Sequence, residues 1–112
     1  MKKNSNAEIA LVFRTLSDST RLRLLNLLSR GEVCVCHLAD TLELVQPKVS
    51  RHLAYLKRAG FVETRREGKW MHYRWSEQSH PLARLVLEAL RNWMAKDPVM
   101  NRDRERLEKI CC

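Results

Sequence analysis

Apolar residues recur along most of this chain at helical spacing, and at a spacing of two in only one stretch. Ile9, Val12, Phe13 and Leu16 mark a first helix with one apolar stripe. Asp18 or Ser19 offers the N-cap of a second helix, which carries Leu22, Leu24, Leu25, Leu27 and Leu28, runs to about Ser29 and ends at Arg30-Gly31. A helix so rich in leucine belongs in the core. Val35, Leu38, Ala39 and Leu42 follow the same rule in a short third helix, taken as regular from Val33. Pro47 suits the first turn of a fourth, where a missing N–H costs nothing. Val49, Leu53 and Leu56 are its inward stripe and Gly60 its end.

The period then changes. Phe61 to Glu67 and Lys69 to Trp75 alternate around Glu67-Gly68, as the two arms of a β-hairpin do. Ser79 or His80 caps a fifth helix that starts with Pro81, and Leu82, Leu85, Val86, Ala89, Leu90 and Trp93 line one face of it. Asp97-Pro98 breaks it, and Asn101 to Lys109 form a charged, frayed helix ahead of Cys111-Cys112. The fold class is mainly α with a β-hairpin. Two helices joined by a tight turn and followed by a twisted hairpin make a winged helix-turn-helix.

Charge says what such a fold would bind. Between Gln46 and Trp75, Lys48, Arg51, Lys57, Arg58, Arg65, Arg66, Lys69 and Arg74 face only Glu63 and Glu67, so most of the net +8 is concentrated there. Fixed cations release condensed counterions when they meet phosphates, which makes a polyanion the expected partner, and the winged plan makes double-stranded DNA the candidate. With Val49, Leu53 and Leu56 inward, Lys48, Arg51, Tyr55 and Arg58 share the opposite helix face. Gln46, Ser50 and His52 add groups able to hydrogen-bond base edges, and Arg65, Arg66 and Lys69 at the hairpin tip can reach a phosphate or the minor groove.

At 112 residues the chain suits one domain and is short for an enzyme with a deep cleft between two. It offers no nucleophile–base–orienter set, no glycine-rich phosphate loop and no paired-carboxylate cleft, so no enzyme is expected. The apolar run Ile9 to Phe13 stops at Arg14, too soon for a signal peptide or a membrane span, which points to the cytosol and reduced thiols. Four Cys in two tight pairs then read as ligands or redox thiols. On a regular helix Cys34 and Cys36 would flank Val35, about 200° apart. One ion could join them only by unwinding the first turn, and that strain would reach the DNA-reading helix that follows. Thiolates select soft ions, and a trigonal all-sulfur site suits arsenite or antimonite.

The run Gln46-Pro-Lys-Val-Ser-Arg-His-Leu-Ala-Tyr-Leu-Lys-Arg-Ala-Gly-Phe-Val, followed by Arg66-Glu-Gly-Lys-Trp-Met-His-Tyr-Arg, resembles the ArsR/SmtB family of metal-responsive repressors. Glu32-Val-Cys-Val-Cys resembles the thiolate motif of its arsenic-responsive branch, and the likeness extends from about Ala7 to Trp93. It implies a homodimer through the first and fifth helices and release from operator DNA when a metalloid binds. Residues 1–96 are then the DNA-binding and dimerisation domain, and 97–112 a charged tail with a Cys pair. Three positions depart from the family pattern: Ala39 where a third Cys is common, His37 where Asp is usual, and Val45 where serine would cap the fourth helix. The missing thiolate makes Cys111 or Cys112 the candidate for a third sulfur. A zinc site on the fifth helix is not expected, because His80 stands alone there. Arsenite or antimonite is the expected inducer, with no constitutive cofactor. The alternatives are cadmium, lead or zinc sensing through the same thiolates, with His37 or the tail, and a thiol redox switch.

Overall fold

The structure, a computed structural model, describes residues 5–77 and 81–111. The caps expected at Ser79 or His80, together with Cys112 and the Cys111 side chain, lie outside the described residues. The described elements run α1 (Ser5–Leu16), α2 (Ser19–Leu27), β1 (Val33–Cys34), α3 (Val35–Leu42), α4 (Gln46–Arg58), β2 (Val62–Glu67), β3 (Trp70–Trp75), α5 (Pro81–Met94) and α6 (Pro98–Cys111). No helix among them is long and apolar enough to cross a membrane.

Local signals explain most boundaries. Asp18 caps α2, its carboxylate accepting the Arg21 backbone N–H at 3.0 Å. Burial alone would raise the Asp18 pKa, but that bond and the positive charge of His52 and Arg21 hold it below its ordinary value. Val45 precedes α4 without a side-chain cap, and Pro47 sits in the first turn, as expected. Gly60 follows α4 at φ +86°, a backbone state that glycine adopts at little cost. Leu24, Leu25, Leu28, Leu38, Val49, Leu53, Leu56 and Phe61 form one fully enclosed core between α2, α3, α4 and the sheet.

The sheet has three strands in the order β1-β3-β2, all antiparallel. The hairpin pairs from Val62↔Trp75 to Glu67↔Trp70. Strand β1 leaves no signal in the sequence, because two residues are too few to show an alternation. It adds Val33↔Tyr73 and Cys34↔His72 to the ladder.

Two expectations give way. Helix α3 starts at Val35, leaving Cys34 extended at φ −70°, ψ 142°. The segment read as a frayed tail is α6, packed on α2 and α3. Arg23 forks onto Asp103 at 2.7 and 2.9 Å, Asn26 Nδ2 donates to the Met100 carbonyl at 2.9 Å, and the buried Arg104 donates to Asn26 Oδ1 and the Met94 carbonyl. The apolar stripes of α1 and α5 meet the core only in part. Phe13 is 56% exposed, Leu85 70% and Trp93 58%; the core takes Val12 and Thr15 from α1, and Ala83 and Leu87 from α5.

Candidate nucleic-acid interface and thiol pair

With the α4 stripe wholly buried, Gln46, Lys48, Arg51 and Arg58 stand exposed on the far side. Ser50, His52 and Tyr55 are half-buried. His52 and Tyr55 are engaged with α2: the Arg21 guanidinium lies 4.1 Å from the Tyr55 ring centre and 3.4 Å from His52 Nδ1, and Asp18 is 3.9 Å from His52. Arg21 also donates to the Thr15 carbonyl at 2.7 Å and the Arg14 carbonyl at 3.1 Å. It thus pins the start of α2 to the middle of α4. Arg58 also lies against the Tyr55 ring, 4.8 Å from its centre. Sequence reasoning misses Arg21 because its partners lie on another helix and no local pattern announces them.

On the wing, Arg66 and Lys69 are exposed, and Lys69 lies 5.5 Å from the ring of Trp70, itself an exposed aromatic at the tip. Arg65 is committed elsewhere. It grips Glu32 with contacts as short as 2.6 Å and lies 3.6 Å from Glu67. The Arg65 bond holds the Glu32 carboxyl below its usual pKa.

The thiols come together more closely than a regular helix would allow. Cys34 Sγ and Cys36 Sγ lie 2.9 Å apart, as free cysteines. Because Cys34 is extended and Cys36 lies in the first turn of α3, the side chains converge with that turn intact, which replaces the wide separation expected of a helix regular from Val33. Burial pushes the Cys36 thiol up to about 11, with further help from the adjoining Cys34 sulfur. His37 is half-buried in the first turn of α3. The last turns of α6 lie beside the segment leading into β1, where Arg30 meets Glu108 at 3.3 Å.

The thiol pair and the wing are mechanically joined. Cys34, His72 and Arg65 form one row across the sheet, since Cys34 pairs with His72 and His72 with Arg65. Glu32, two residues before Cys34, clasps Arg65 from the side.

Comparison with known proteins gives a consistent picture. Residues 18–64 match the family described as bacterial regulatory protein, arsR family. The chain is 43% identical over 96 residues to the arsenic resistance transcriptional regulator ArsR1 of Pseudomonas putida, covering 78% of this chain and 72% of that one. It is 39% identical over 109 residues to ArsR2 of the same organism, covering 90% and 95%. Among solved structures, a homodimeric winged helix-turn-helix DNA-binding domain from Mycobacterium bovis superimposes with a TM-score of 0.69 at 25% identity, covering 88% and 94%.

Proposed function

The chain belongs to the ArsR family of bacterial transcriptional regulators, winged helix-turn-helix DNA-binding proteins and not enzymes, and from that premise we propose a cytosolic, metalloid-responsive repressor that leaves its operator when arsenite or antimonite binds Cys34 and Cys36. The observation that carries this reading is the 2.9 Å approach of the two sulfurs at the joint between the sheet and α3. An ion bridging them pulls on β1, which is laddered to the wing, and on α3, which packs against the DNA-reading α4. Gln46, Lys48, Ser50, Arg51 and Arg58 face the major groove in this reading; His52 and Tyr55 serve chiefly to seat α4 on α2. Arg66 and Lys69 reach the flanking phosphates, and Arg65 links wing to sensor.

The protein acts as a homodimer through α1 and α5. Ile9, Phe13, Leu85 and Trp93 expose an apolar surface of the kind that marks an interface. Since arsenite favours three sulfurs and the joint between β1 and α3 offers two, Cys111 or Cys112 completes its site.

Operator release tests the reading. Arsenite lowers operator affinity in the wild type, whereas in Cys34→Ser and Cys36→Ser the ratio of affinities without and with arsenite falls to near one, serine oxygen being too hard to replace the thiolate. Wild-type release in both variants sinks the assignment. Deleting Cys111-Cys112 lowers the arsenic–sulfur coordination number seen by X-ray absorption; an unchanged number removes the tail from the site.

A further inference from the structure

We propose that His72, on the wing strand, is a nitrogen ligand to a divalent cation of the zinc class bound together with the sulfurs of Cys34 and Cys36. This rests on the reading of those cysteines as thiolate ligands and adds a ligand from a different element. It concerns an ion of other chemistry than arsenite, because an imidazole beside two thiolates suits a borderline cation, not a metalloid that prefers sulfur alone.

Cys34 and His72 are direct ladder partners. Opposed residues in an antiparallel pair carry their Cβ atoms on one face of the sheet, about 4.5–5.5 Å apart. With Cys36 Sγ 2.9 Å from Cys34 Sγ, the two sulfurs sit at the corner where β1 passes into α3, on the sheet face that also carries His72. Tetrahedral ligand bonds of about 2.3 Å to sulfur set the two sulfurs roughly 3.8 Å apart, so binding spreads them from their present 2.9 Å. Side chains in their present rotamers do not yet enclose an ion, since no three such groups converge among the described residues. His72 Nε2 faces Glu67 Oε1 at 3.5 Å, and Nδ1 faces Glu32 Oε1 at 3.9 Å.

Turning the ring toward Cys34 exchanges a weak contact for a strong one. Glu67 is 67% exposed, so its attraction for His72 is screened by solvent. Glu32 lies on the Nδ1 side and can stay engaged: with Nε2 on the cation, Nδ1–H donates to the Glu32 carboxylate. Metal-bound histidines usually make such a bond, which orients the ring and raises its basicity. Glu32 is itself held by Arg65 at 2.6 Å. The charges also balance. Two thiolates neutralise a divalent cation and imidazole adds none, so the nearly enclosed corner around Cys34 carries no uncompensated charge. His37 is the less suitable histidine: it follows Cys36 on α3, and successive helical residues point about 100° apart. Occupancy would act on the wing directly, since His72 also pairs with Arg65.

The test is a cobalt(II) titration of the reduced full-length chain, read by thiolate-to-cobalt charge-transfer bands and by the nitrogen count in X-ray absorption. The wild type should show two sulfurs and an imidazole nitrogen. His72→Ala and His72→Gln should lose that nitrogen and weaken cobalt by at least about tenfold, while His37→Ala keeps both. Circular dichroism of each variant separates a lost ligand from a lost fold. Long-range ¹H–¹⁵N spectra of the wild type with zinc give a variant-free reading, in which a large shift at His72 Nε2 supports the ligand and none overturns it. Unchanged nitrogen and affinity in both His72 variants overturn the proposal, and thiolate bands persisting there leave the cysteine reading intact. A wild type without thiolate bands overturns the proposal, while the arsenite reading of the cysteines stands or falls with operator release.

Discussion

Helices α4 and α5 are written in the same amphipathic pattern, and the fold uses their stripes in opposite ways. In α4, Val49, Leu53 and Leu56 are wholly enclosed, which presents Lys48, Arg51 and Arg58 to solvent. In α5, Leu85 and Trp93 are among the most exposed large apolar side chains described, while Ala83 and Leu87 face the core. Helix α1 behaves like α5, with Phe13 outward and Val12 inward. Amphipathicity shows that a helix has a face to bury. It does not say whether the covering surface belongs to the same chain.

The largest expected effect tests the α4 half of this contrast. Leu53→Ala should lower unfolding free energy by about 2–5 kcal/mol, through lost burial and the cavity left behind, and should do so at any protein concentration. Denaturant titration measures it; a loss well under about 1 kcal/mol would mean the stripe is not core. Leu85→Glu addresses the other half. It should raise the dimer dissociation constant by at least about tenfold, near 1.4 kcal/mol, with helical content retained. Sedimentation equilibrium decides, and an unchanged dimer would place the interface away from α5.

A smaller effect concerns how α4 is seated. Asp18→Ala removes the α2 cap and the carboxylate beside His52 and should cost about 1 kcal/mol. Since folding lowers the Asp18 pKa, its contribution is fully present above the unfolded value of about 3.9 and fades as pH falls through the folded one. Stability curves of wild type and variant should therefore converge on acidification below about pH 4. A gap that widens there would contradict the sign.

Much of the architecture was legible because its causes are local. Asp18, Pro47 and Gly60 act within a turn of their own positions, and the stripes of α2, α3 and α4 repeat often enough to be read. The basic face of α4 was legible for the same reason. Strand β1 was not, being too short for a period, and with it went the true geometry of Cys34 and Cys36. Charge density made residues 101–109 look solvated, yet Asp103 and Arg104 are buried because Arg23 and Asn26 on α2 receive them.

From the chain alone came the winged helix-turn-helix plan, the basic face of α4 and the cysteines as sensor candidates, since each depends on spacing within one segment. Tertiary structure alone decided that the two sulfurs already meet, that Arg65 is clasped by Glu32, and that α6 packs on α2 and α3. It also left Phe13 of α1 and Leu85 and Trp93 of α5 exposed. Each of these joins residues or surfaces that only packing brings together, and the energy of burying a charge or an apolar face depends on the partner it meets, which no local pattern specifies.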